Sequence, residues 1–84
     1  MNYEFSKRAD KQLQKLPVEL QRRIIRKIKF YLNSESPLHF ADSISGEDQQ
    51  LYRFRIGTYR VIFELIDNTI HVLKLKHRKE VYKK

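Results

Sequence analysis

Three arginines, Arg53, Arg55 and Arg60, fall within the ten residues "LYRFRIGTYR". The chain then closes on "LKLKHRKEVYKK", residues 73–84, where seven of twelve side chains are Lys, Arg or His and Tyr82 stands among them. Guanidinium forks are planar, bidentate and permanently charged, so they hold phosphate oxygens well. A tyrosine beside them offers a stacking face for a base and a hydroxyl for hydrogen bonding. The chemistry open to this set is the binding of a phosphate backbone. The bland alternative is a basic tail that keeps the protein soluble.

Strands must position the arginines. In "LYRFRI" alternation puts Tyr52, Phe54 and Ile56 on one face and Arg53 and Arg55 on the other. Gly57 and Thr58 predict a tight turn before "YRVIFELI", where Tyr59, Val61, Phe63 and Leu65 form the apolar row and Arg60 stands opposite. Asp67 and Asn68 mark the next turn, and "TIHVLKLKH" reads as a third strand. Arg53, Arg55 and Arg60 therefore share one side of a meander. Which of Lys74, Lys76, His77 and Arg78 join them depends on hairpin register.

Upstream, "NYEF" reads as a short edge strand and Ser6 as the N-cap of a helix carrying Ala9, Leu13 and Leu16. Pro17 suits the first turn of a second helix, with Leu20, Ile24, Ile28, Tyr31 and Leu32 on one side and Asn33 at its end. Its other side carries Arg22, Arg23, Arg26, Lys27 and Lys29, as the outer face of any amphipathic helix can. Residues 33–50 are polar, contain Pro37 and Gly46, and read as a connector. The expected fold is α+β: a short N-terminal strand and a two-helix hairpin packed on one face of an antiparallel sheet whose other strands form a three-stranded meander. At 84 residues it is one domain, 1–84.

Charge sharpens the reading. The net charge is +8, with residues 1–32 and 51–84 each contributing +6 and the connector −4. Two basic blocks around an acidic segment attract polyanions, an attraction that weakens with salt. The absence of cysteine removes disulfides and thiolate metal sites, and His39, His71 and His77 lack metal-ligand spacing, so neither metal nor cofactor is expected. With no apolar run long enough for a membrane span and no signal-peptide core, a cytoplasmic protein without membrane association is expected.

"LYRFRIGTYRVIFEL" followed by "LKLKHRKEVYKK" resembles the RelE family of toxin–antitoxin ribonucleases, within the wider RelE/ParE superfamily, and "FSKRADKQLQKLPVELQRRI" is similar to that family's amino-terminal half. The resemblance implies a RelE-like fold and a toxin that cleaves mRNA in the ribosomal A site without a metal, held inactive by a cognate antitoxin, acidic to match its charge. Arg53 and Arg55 match the family's two basic residues on the first meander strand. Arg60 matches its arginine on the next strand, Arg78 its arginine after the last, and Tyr82 its tyrosine near the carboxyl terminus.

One departure matters. The best-studied pattern has lysine at both first-strand positions, and arginine at Arg53 and Arg55 does not give up its proton. The general base is thus left open, with His77 beside Arg78 suited by its ordinary pKa. Three readings follow: a ribosome-dependent mRNA endonuclease, a ParE-like DNA gyrase inhibitor with no catalytic site, or a catalytically silent nucleic-acid-binding domain.

Overall fold

The computed structural model describes residues 1–44 and 50–81, with the side chains of residues 80 and 81 outside that description. Strand β1 (Asn2–Phe5) leads into helices α1 (Lys7–Gln14) and α2 (Val18–Leu32). A 3₁₀ turn (Pro37–Phe40) precedes β2 (Ala41–Ile44), followed by β3 (Leu51–Ile56), β4 (Tyr59–Ile66), β5 (Thr69–His77) and a last turn of helix, α3 (Arg78–Val81). The strands form one sheet in the order β1-β5-β4-β3-β2.

Local chemistry accounts for the boundaries. Ser6 caps α1, its Oγ accepting from the Ala9 N–H at 3.0 Å. Asn33 closes α2 with its N–H on the Lys29 carbonyl. The β3–β4 turn has Gly57 at φ 60, the first central position of a two-residue hairpin, which glycine occupies without a Cβ penalty. The β4–β5 turn has Asp67 at φ 49 and Asn68 at φ 59, the paired left-handed residues whose twist matches the strands.

The core lies between the helices and one sheet face. Ala9, Leu13, Ile24, Ile28 and Leu32 pack on Phe54, Ile56, Val61, Phe63, Ile70, Val72 and Leu75. Phe54 and Phe63, both fully buried, meet at a centroid separation of 4.6 Å. The opposite sheet face carries no helix among the described residues, and it bears the arginines.

Two features go beyond the sequence reading. The sheet is mixed, because β1 runs parallel to β5. The connector also supplies a fifth strand, with β2 pairing antiparallel to β3 so that Asp42 stands opposite Arg53. Four residues of "ADSI" are too few to show a period, and pairing with the edge of β3 is what makes them a strand.

The register of β4 on β5 shifts between Ile62 and Phe63: Ile62 faces Lys74 while Phe63 faces Val72, leaving Leu73 as an extra, bulged residue. Beyond Val72, β5 has also outrun β1, and α1 supplies the missing partners. Ser6 Oγ donates to the Leu73 carbonyl at 2.9 Å, and the Leu75 N–H donates to Gln12 Oε1 at 2.7 Å. The edge polar groups are thereby satisfied without another strand.

Candidate phosphate-binding face

Cross-strand pairing assembles the site in rows. Arg55 faces Arg60 across β3 and β4, and Arg60 faces Lys76 across β4 and β5. One row further in, Asp42, Arg53, Ile62 and Lys74 line up across four strands. Both rows lie on the face away from the helices, because Phe54, Val61 and Leu75 between them point into the core.

Like charges directly opposite one another destabilise a sheet. Asp42 relieves part of this repulsion, forming an ion pair with Arg55 Nε at 3.0 Å and accepting a hydrogen bond from Arg53 Nε at 3.4 Å. Arg60, Lys74, Lys76 and Arg78 have no ion-pair partner among the described residues. Arg60 Nε is also buried without a hydrogen-bond partner among them. A buried guanidinium donor costs free energy unless an acceptor meets it.

Arg55, Gly57, Thr58, Tyr59, Arg60 and Arg78 line an open cleft of about 250 Å³ at this end of the sheet. Arg78 comes from the start of α3, and its backbone N–H donates to the Thr58 carbonyl at 2.6 Å, which ties the end of β5 to the hairpin turn. On the other side of that turn, the guanidinium of Arg23 in α2 lies 3.4 Å from where a Cβ on Gly57 would stand. The cleft is lined by fixed donors and cations, an arrangement that fits a phosphate or another oxyanion.

Lys74 is held below the ordinary lysine range. Burial is the first cause, followed by the charges of Lys76 and Arg8 and a side-chain hydrogen bond with Lys76.

The structure brings Arg53, Arg55, Arg60 and Arg78 to one face, with Arg55, Arg60 and Arg78 in the cleft itself. It does not bring His77 there. His77 pairs with Tyr59, packs edge-on against its ring at 5.0 Å, and lines a groove with Gln12, Lys15 and Leu16 on the helix side. Its Nδ1 accepts the Lys79 N–H at 3.1 Å. The strand pleat is the reason: Lys76 and His77 are consecutive and point to opposite faces. Tyr82 lies outside the described residues.

Two contributors escaped the sequence reading, and two more were left open by it. Asp42 was hidden in the connector, where a lone acid shows no period. Arg23 was one of five cations on the outer side of α2. Lys74 and Lys76 were visible as a pair two residues apart, but only the register assigns them a face.

A family model described as the ParE toxin of type II toxin–antitoxin systems, parDE, matches residues 3–82. A chain of the archaeal RelE–RelB complex from Pyrococcus horikoshii OT3 is 36% identical, with a TM-score of 0.72 over 92% of this chain and 93% of that one. A chain of the RelB–RelE antitoxin–toxin complex from Methanococcus jannaschii is 30% identical, with a TM-score of 0.66 over 93% of each. A chain of the RelBE2 toxin–antitoxin complex from Mycobacterium tuberculosis is 26% identical, with a TM-score of 0.73 over 92% of this chain and 96% of that one. No curated protein matches the chain significantly.

Proposed function

The chain belongs to the ParE toxin family of type II toxin–antitoxin systems, within the RelE/ParE superfamily, and from that premise we propose that it cleaves messenger RNA on the ribosome and is neutralised by an acidic antitoxin. The observation that carries this reading is the convergence of Arg55, Arg60 and Arg78 on one cleft, with Arg60 Nε buried and without a partner among the described residues.

A 2′-hydroxyl attacking the adjacent phosphate needs the phosphate held in line and its developing charge met by preorganised donors. Arg60 and Arg78 serve the equatorial oxygens from two sides of the cleft, and Arg55 with Arg53 steers the backbone toward it. Tyr82 is assigned a stacking role on a neighbouring base. Ribosomal RNA completes the alignment, so purified protein is expected to cleave free RNA poorly.

For the partner, the archaeal and mycobacterial relatives are named as complexes of RelE with RelB. An acidic segment that folds onto the arginine face here would cover the groups that meet RNA and silence the toxin.

A second reading, inhibition of DNA gyrase, is favoured by the ParE name of the matching family model. Primer extension on mRNA from cells expressing the protein separates the two. Breaks within translated codons, lost in Arg60→Ala and Arg78→Ala, support the nuclease. Intact mRNA together with blocked supercoiling by purified gyrase supports the other reading and overturns the first.

A further inference from the structure

Metal-free cleavage requires a group to take the 2′-hydroxyl proton, and the four arginines on the face cannot do so at any ordinary pH. His77 is turned to the helix side, against Tyr59. Among the described residues two amines remain on the arginine face, Lys74 and Lys76, both on β5. We propose that Lys74 is the proton acceptor of the cleavage reaction, a lysine base supplied from the last strand of the sheet rather than from the first strand of the meander. The inference rests on the nuclease reading.

Geometry is the main support. Lys76 stands opposite Arg60, and Lys74 is the next residue of β5 on the same face, opposite Ile62. Two residues along a strand span about 7 Å. A phosphate held by Arg60 is therefore within reach of a four-carbon lysine stem. Ile62 is only 7% exposed, so the base stands beside an apolar, water-poor neighbour.

The charged and titratable groups around Lys74 are Lys76 and His71 on its own strand, Arg60 and Glu64 on β4, Arg53 beyond Ile62 on β3, Glu4 on β1, and Arg8 on α1. The acids there are Glu64, opposite His71, and Glu4, which pairs with His71 Nδ1 at 3.3 Å, two against four cations. Cations therefore dominate the surroundings, and they favour the neutral amine. Burial and the charges of Lys76 and Arg8 lower its pKa in keeping with that role. In the step itself the 2′-oxygen bonds to phosphorus as its proton passes to the neutral Lys74 amine. The bond from phosphorus to the 5′-oxygen breaks, and that oxygen takes a proton from solvent, leaving a 2′,3′-cyclic phosphate and a 5′-hydroxyl end.

The test is single-turnover cleavage of mRNA on purified ribosomes between pH 6 and pH 9, with wild type, Lys74→Arg, Lys74→Met and His77→Gln, each checked for folding by circular dichroism. Lys74→Arg keeps the charge and removes the base. It is expected to lose on the order of 10²- to 10⁴-fold in rate while still binding RNA. Wild-type cleavage should rise with pH as the amine deprotonates, and the rise should vanish in both Lys74 variants but persist in His77→Gln. A Lys74→Arg protein that keeps the wild-type rate and pH dependence overturns the assignment and leaves the nuclease reading standing. Wild-type protein that leaves mRNA intact on the ribosome overturns both.

Discussion

Replacing Asp42 by Asn should strengthen RNA binding and make it more sensitive to salt. In the native face Asp42 occupies two of the six cations, Arg53 and Arg55, leaving Arg60, Lys74, Lys76 and Arg78 without ion-pair partners among the described residues. Each phosphate neutralised on a single strand contributes about −0.7 to the slope of log K against log salt, so four contacts give roughly −3 and six give roughly −4. Between 50 and 200 mM salt the affinity should fall about 50-fold for the native protein and about 300-fold for Asp42→Asn. The variant should bind more tightly at low salt, because two guanidiniums are released to meet phosphate. Folding should be little affected, since an exposed ion pair is worth only ~0.2–1 kcal/mol. The assay is fluorescence anisotropy with a labelled single-stranded oligonucleotide carrying 2′-O-methyl groups, which cannot be cleaved, at one fixed pH of about 6 for both proteins. A native slope shallower than −1, or an unchanged slope in Asp42→Asn, would mean that RNA does not lie on this face.

Other outcomes follow from the same structure. Ser6→Ala removes both the N-cap of α1 and the donor to the bulged Leu73 carbonyl, so it should cost about 1–2 kcal/mol in urea unfolding. Phe54→Ala empties the centre of the aromatic core, where the side chain is 0% exposed. It should cost about 3–5 kcal/mol, enough to leave much of so small a domain unfolded near 37 °C by calorimetry. Lys74 has a folded-state pKa below its unfolded one, so the unfolded chain binds the extra proton and stability rises with pH between those two values. Lys74→Met should therefore raise the melting temperature at neutral pH and flatten that rise, and an unchanged profile would count against the cationic crowding.

Much of the architecture was legible in local pattern. Alternation in "LYRFRI" and "YRVIFELI" placed Phe54, Ile56, Val61 and Phe63 in the core and the arginines opposite them, because a pleated strand sends neighbouring side chains to opposite faces. Ser6, Gly57 and Asn33 marked their caps and turn through side-chain chemistry or backbone freedom that acts within a few residues. Net charge of +8 in two basic blocks pointed to an anionic partner before any fold was known.

What the sequence could not decide was set by contacts between distant segments. The mixed sheet depends on β1 meeting β5, some 67 residues along at Ser6 and Leu73, and β2 exists because β3 offers it an edge. Above all, the bulge at Leu73 reverses the alternation of β5, so that Ile70, Val72 and Leu75 all face the core while Lys74 and Lys76 join the arginines and His77 is turned away. A strand read alone has a period of two and no bulge. Only the register against β4, held by Ser6 and Gln12 on the free edge, fixes where the extra residue falls, and with it which basic side chains share a face.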